Sequence, residues 1–501
     1  MTKPLITSRT DWTPDLLQDI YHHIEDVGVN DLKLDIYPNQ IEVISAEQMI
    51  DAYSSVGMPV NYSHWSFGKE FLSDWQRYQK GKMSIAYEIV INTNPCISYL
   101  MEENDAITQA LVIAHAAIGH NFIFKNNYLF KEWTSAGSII DYMLFAKNFI
   151  RDCELKYGED EVEKVLDAAH ALSMHGVDKR KRRHKKKLNE EEAAQLELEK
   201  ANEEQQNLDI ILKKTSLSDD YSSNITSYND SNIDLDGEDE ENLIYFIYKN
   251  APNLEGWKRE VLRIVYKIHN YYRPQSQTQT LNEGMATFTH FYIMDTLEKR
   301  GLISDDAQIA WLHMHSGVIY QPDMNSRHYD GTFNPYALGF SILKDIKRIC
   351  EDPTQEDKEW FPKLIGKEWR EAIKDAVSEY RDESFIAQFL SPKLMRDMKM
   401  MTASLNGKNG VVTDICDEIG YANLRSALSE SYNMINYVPE IVVNHAKMKG
   451  DRTLVLEYRP FKERELYKDY ALKTINHVKY LWGYNVKIVK RNENDVVSDY
   501  L

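Results

Sequence analysis

His115 and His120 close an apolar run, Leu111–Val112–Ile113–Ala114–His115–Ala116–Ala117–Ile118–Gly119–His120–Asn121, which predicts a buried helix. Far along the chain, Leu281–Asn282–Glu283–Gly284–Met285–Ala286–Thr287–Phe288–Thr289–His290 offers a carboxylate and a third imidazole. Two histidines on one helix and an acid on another are the parts of a site for zinc or another divalent metal. The spacing is unusual. Residues five apart on a regular helix point about 140° away from each other, whereas partners four apart share a face. Convergence on one ion therefore needs a distorted helix or one that ends, and Gly119 suits an ending. No glutamate lies between the histidines, so the base of an HExxH zincin is missing from its usual place. The competing reading makes one histidine a hydrogen-bonded core residue and the other a helix cap.

Glu283 and His290 share a helix face but lie about 10.5 Å apart along the axis. Glu283 is thus the third ligand candidate beside His115 and His120, and His290 stands behind them or against substrate. A first-turn acid favoured by the helix dipole is the plainer role for Glu283. For a hydrolase the missing base would come from Glu102 or Glu103, near the start of the same helix. His64, His269 or Arg273 would stabilise a developing oxyanion. The aromatic loop Asn61–Lys69, with His64, can line a pocket or simply pack. The segment Arg327–Tyr336, with His328, Tyr329 and Asn334, offers a second wall or an ordinary surface loop. Asn121, beside His120, is a further polar contact. Cys96 reads as a thiol nucleophile or, more plainly, as a buried core residue.

These residues need elements to hold them. Trp12–Asp26 is amphipathic at helical spacing, and Ile41–Val56 predicts another helix stopped by Gly57 and Pro59. Tyr87–Ile91 predicts a strand, and helical patterns run from Ile97 to about Leu172. Lys179–Lys187 is a basic run followed by acids, and a Ser/Asp/Asn tract extends to about residue 236. Strands are predicted at Thr453–Tyr458 and Val486–Val489, around a helix at Glu465–Leu481. The expected architecture is mainly α with an appended α+β C-terminal domain, and a helical zincin-like core is compatible with it. Its expected divisions are 1–178, a charged insertion or linker at 179–238, a second helical part of the core at 239–382, and 383–501.

Composition narrows the function classes. A chain of 501 residues with 43% hydrophobic and 11% aromatic content is globular, with a large core. A net charge of -19 repels phosphate, which leaves nucleic-acid binding only to Lys179–Lys187. Four scattered cysteines fit a reducing compartment and argue against a cysteine zinc knuckle. Neither a secretory signal nor an unbroken run of 18 apolar residues is visible, so a cytoplasmic protein without a membrane partner is expected.

Together the segments His64–Trp65–Ser66–Phe67–Gly68–Lys69, Asn94–Pro95–Cys96–Ile97, Met101–Glu102–Glu103–Asn104, His115–Asn121, Leu281–Gly284, Tyr329–Asp330–Gly331 and Asn334–Phe340 resemble the SpoVR (stage V sporulation protein R-like) family, from about residue 10 to 495. The resemblance implies a bacterial cytoplasmic protein of sporulation or stress physiology. It also implies partners, a PrkA-like serine kinase and a von Willebrand A-type protein. Separately, Asn282–Glu283–Gly284–x–Ala286 is similar to the segment that carries the glutamate ligand of gluzincin aminopeptidases, in the same chain order after a histidine pair. The expected function is a metal-dependent hydrolase of an amide bond, peptide or peptidoglycan-related. The alternative is a non-catalytic signalling or scaffold protein.

Overall fold

Thr13 opens the first helix, α1 (Pro14–Asp26), by accepting the Leu16 N–H on its side chain, and Pro14 occupies the first turn, where a backbone N–H has no helical partner. Leu17, Ile20 and Ile24 turn one face of α1 into the core. The computed structural model describes residues 4–7, 11–54, 58, 60–79, 88–176, 242–322, 332–400, 402–406, 409–413, 417–433, 436–446, 450–461, 464–491 and 497–500. The basic run Lys179–Lys187, the rest of the 179–238 insertion, and His328 and Tyr329 lie outside these residues.

The chain divides by contacts into two units that are each discontinuous in sequence: 1–59, 65–137 and 273–433 form one, and 60–64, 138–272 and 434–501 the other. Long-range packing thus groups the chain differently from the four consecutive segments expected from composition.

In the first unit α1 leads to strand β1 (Asn39–Ile44), helices α2 (Ala46–Ser54) and α3 (Trp65–Gln79), and strands β2 (Glu88–Ile91) and β3 (Cys96–Met101). The sheet order is β1-β3-β2, with β1 parallel and β2 antiparallel to β3. Two sequence expectations change here. The helix expected over Ile41–Val56 begins as strand β1, because pairing of Asn39–Ile44 with Cys96–Met101 suits the branched Ile41, Val43 and Ile44. The helical stretch expected from Ile97 begins, for the same reason, as β3.

Next comes one helical rod, 106–126, made of α4 (Ala106–Ile113), a π-helical turn (Ala114–His120) and α5 (Asn121–Asn126). Asp105 caps its start by accepting the Thr108 N–H. Among the described residues it is the one helix long and apolar enough to cross a membrane, and its most apolar window is wholly buried inside the fold. Thr108, Gln109 and His115 interrupt the unbroken apolar run that the sequence criterion sought. Helix α6 (Tyr128–Trp133) follows, and the remainder of the unit resumes with α7 (Gln279–Lys299), α8 (Asp305–Val318) and α9 (Pro335–Glu351). Asn334 caps α9 by accepting the Tyr336 N–H. Shorter helices and a hairpin, β4 (Thr402–Asn406) with β5 (Asn409–Thr413), complete it.

Helix α7 is the axis of this unit, packed against both the π-helical turn and α9. It can approach them closely because side chains are missing at the crossings. A methyl group on Gly119 would lie 2.5 Å from Ala286 Cα, and one on Gly284 would overlap the backbone of Gly339. Leu281, Met285 and Phe288 then share one buried core with Ile113, Ile118, Leu338 and Leu343.

The second unit holds helices Ile139–Tyr157, Glu159–Ala171, Leu243–Asn250 and most of Gly256–Gln277, with a sheet in the order β6 (Glu440–Ala446), β7 (Leu454–Arg459), β8 (Val486–Arg491) and β9 (Val497–Asp499). β7 and β8 are parallel and joined by the helix Lys468–Trp482. The mainly α architecture with a C-terminal α/β part is as expected from the sequence.

Candidate metal centre

The i, i+5 spacing of His115 and His120 is resolved by the π-helical turn that spans them. A π turn closes after five residues rather than four, so positions five apart stack over one another. The expected ending at Gly119 does not occur. The helix continues through it with ordinary right-handed caps, and the glycine serves the crossing with α7 instead. The two imidazole rings lie 4.8 Å apart at 74°.

Two carboxylates face them. Glu283 Oε2 is 3.5 Å from His115 Nε2 and 3.6 Å from His120 Nε2. Glu88 Oε1, from the first residue of β2, is 3.0 Å and 3.6 Å from the same nitrogens. One ligand atom from each of these four residues falls within 4.8 Å of every other. A tetrahedral ion with bonds of about 2.0–2.1 Å has ligand–ligand edges of about 3.3–3.4 Å, so the spacings match such an ion. His115 Nε2 and Glu283 Oε2 are buried and have no hydrogen-bond partner, although they aim into this space. Buried polar atoms are rarely left so. The donor set therefore fits a divalent metal.

The electrostatics agree. Burial lowers the His115 pKa, but Glu88 and Glu283 outweigh it and hold the imidazole at about 10. Burial raises the Glu88 pKa, yet His115 and His120 keep its carboxyl well below the usual range. The pocket thus favours positive charge between the two carboxylates. Both histidine side chains are about 5% exposed and both carboxylates about 20%, so the acids form the side open to solvent.

The groups behind the ligands come mostly from α7. His120 Nδ1–H donates to Asn282 Oδ1 at 2.7 Å, which leaves Nε2 as the bare, ligating nitrogen. His115 Nδ1 meets His290 Nδ1 at 2.9 Å, and His290 Nε2 meets His315 Nδ1 of α8 at 2.8 Å. Burial, reinforced by His115, pushes the His290 pKa far down, and burial also lowers that of His315, to about 4. Asp382 fixes the start of α7 by accepting the N–H groups of Thr280 and Leu281 at 2.9 and 2.8 Å. Burial outweighs these bonds and lifts its pKa to about 7. Tyr336, in the first turn of α9, stacks on His115 at 6.1 Å and lies close enough to Glu283 to feel its charge. Burial, then Glu283 and Glu88, push its phenol pKa well up, so it stays a donor.

The structure therefore brings together His115, His120 and Glu283, with His290 directly behind. Several other candidates stand elsewhere. Glu102 and Glu103 are exposed in the turn after β3, and Glu103 instead accepts the Ala46 N–H at the start of α2. His64 belongs to the second unit, where it lies 3.2 Å from Asp167, with its ring 4.4 Å from that of His170. His269, of the same unit, acts electrostatically on His170. Arg273 stacks over Trp133. Asn121 turns away to bond Tyr37 and Asn39, and Asn334 serves as a helix cap. Cys96 is fully buried, and desolvation pushes its thiol up to about 12, so it is a core residue rather than a nucleophile.

Glu88 is the residue that the sequence reading missed. Its one signal was a carboxylate opening an otherwise apolar, branched strand. Tyr53 anchors it by donating its hydroxyl to the Glu88 carbonyl at 2.7 Å.

A family model described as "SpoVR like protein" matches residues 11–437, and one described as "SpoVR-like C-terminal domain" matches residues 439–493. The chain is 47% identical over 490 residues to a protein of Escherichia coli (strain K12) described as "Uncharacterized protein YcgB", covering 97% of this chain and 94% of that one. No solved structure matches.

Proposed function

The chain belongs to the SpoVR family, and from that premise we propose that its first unit is a divalent-metal centre, best suited to zinc, that hydrolyses an amide bond in a peptide or peptidoglycan-related substrate. The observation that carries this reading is the meeting of Glu88, His115, His120 and Glu283 from three distant segments, with His115 Nε2 and Glu283 Oε2 left without other partners. Two carboxylates and two neutral imidazoles balance a divalent charge. A divalent ion supplies a Lewis acid and lowers the pKa of bound water. The chain's own groups supply the rest. Glu88, on the solvent side of the cluster, takes the proton from the attacking water, the part that Glu102 and Glu103 are too exposed and too occupied to play. Tyr336, stacked on His115, donates its hydroxyl to the charge that develops on the carbonyl oxygen.

One observation favours a second reading. Four protein ligands complete a tetrahedron by themselves, as in structural sites. On that reading the ion holds the fold, and the protein is a scaffold for a PrkA-like kinase and a von Willebrand A-type partner. Elemental analysis of the purified chain, with amide hydrolysis assays on wild type and Glu88→Gln, separates the two. Hydrolysis that is lost in Glu88→Gln while the ion stays bound supports the enzyme. A bound ion without turnover of any amide, with partner recovery unchanged in His120→Ala/Glu283→Ala, supports the scaffold. Absence of stoichiometric metal from wild type, with His115→Ala equally stable, refutes both.

A further inference from the structure

We propose that His290 and His315 are positioning residues, a directed chain of imidazoles that locks His115 in the one tautomer able to bind metal. This rests on the metal-centre reading above. The argument is a count of protons along three rings. A contact between two ring nitrogens at 2.9 Å holds one proton, so one nitrogen donates and the other accepts. His115 Nε2 has to be bare to ligate, so its proton sits on Nδ1 and is donated to His290 Nδ1. His290 then carries its own proton on Nε2, 2.8 Å from His315 Nδ1, and donates it there. His315 is left with its proton on Nε2. Every alternative placement either sets two protons in one contact or puts a proton where the ion would bind.

The chain is held rigidly. His290 is 1% exposed and His315 4%, and the rings of Phe291 and Phe340 lie 4.8 and 5.1 Å from that of His315. The acceptor behind His115 is a neutral ring rather than the carboxylate or carbonyl that commonly backs a metal-bound histidine. Behind His120 the acceptor is likewise a neutral amide, Asn282. Neither histidine is pushed toward imidazolate, so the negative charge at the centre comes from the carboxylates Glu88 and Glu283 alone, and the centre keeps its Lewis acidity.

The test uses the full chain with zinc, read by competition against a chelator and by nitrogen-15 histidine NMR. His290→Leu removes the acceptor and is expected to weaken zinc binding about 10–100-fold. His290→Asn keeps an acceptor oxygen near the Nδ1 position and is expected to recover most of that loss. In the zinc form of wild type, NMR should find His115 protonated on Nδ1, and His290 and His315 protonated on Nε2, a result that does not depend on any variant folding. His290 protonated on Nδ1, or His290→Leu binding zinc as wild type does, overturns the proposal and leaves the metal centre standing. Wild type that binds no zinc removes both.

Discussion

Replacing Gly119 by alanine sets a methyl carbon 2.5 Å from Ala286 Cα and 3.0 Å from Ala286 Cβ, on the helix that carries Glu283. Ordinary carbon contacts begin near 3.5 Å, so the π-helical turn and α7 must part by about 1 Å. The obstacle is backbone, which cannot swing aside as a side chain would, so the strain lies toward the upper end of overpacking, about 3 kcal/mol. Alanine recovers about 1 kcal/mol over glycine inside a helix, which leaves a net loss of about 2 kcal/mol. The site suffers as well. The Glu283 spacings of 3.5 and 3.6 Å from the two histidines would open beyond 4 Å, and metal bonds tolerate only about 0.2 Å. Zinc affinity should fall at least 10-fold, measured by chelator competition, with stability read from urea unfolding of the metal-free protein. Gly317→Ala is the control, because nothing lies within 4 Å of its Cβ position, and it should be neutral or slightly stabilising. Wild-type stability and affinity in Gly119→Ala, or equal damage from Gly317→Ala, would refute the idea that this crossing sets the ligand spacing.

Zinc at a hundredfold excess over its dissociation constant should stabilise the protein by about 2.7 kcal/mol, and chelation should reverse the gain. Thermal melts of Glu283→Gln should show no response to either. The Asp382 pKa, about 7, lies above its unfolded value of 3.8, so this group's contribution is fullest below about pH 4 and is lost as pH rises toward 7. In metal-free protein, Asp382→Asn should therefore gain on wild type between pH 5 and 8 in urea titrations; a constant difference would count against the assignment. Glu457, fully buried between Arg459 and Arg491, is depressed to about 2: burial raises its pKa, but the two guanidiniums outweigh that. Its contribution is present above pH 4.5 and lost as pH falls toward 2. Glu457→Gln should cost about 3 kcal/mol at neutral pH and flatten that acid limb, as followed by circular dichroism.

Local pattern made α1, the apolar helix of His115 and His120, and strands β7 and β8 legible, because each announces itself by period, cap or branched residues. Strands β1 and β3 were hidden because their pairing is mutual and distant: Ile41 and Val43 fit a helical face until Ser98 and Leu100 lie beside them. Three of the four site residues could be read from type and chain order. Glu88 could not, because its neighbours say only that it begins a strand, and its role depends on where β2 meets the π-helical turn. That turn was also beyond reach. The sequence showed that a regular helix cannot serve both histidines, but a single wider turn leaves no residue signature that separates it from a helix end at Gly119.

The rod 106–126 is as apolar as a bilayer span, yet α7, the helix that covers it, begins 153 positions after Asn126, at Gln279. At about 5–20 residues per second of synthesis, about 8–30 s separate the emergence of the two. During that interval the segment destined to bind metal has α1, β2 and β3 to pack against but lacks its main helical partner, so part of its apolar surface stays exposed. Accumulation of the folded protein should therefore depend on chaperones that hold such segments on the ribosome, and Glu283 joins the ligand histidines only after most of the first 300 residues have been made.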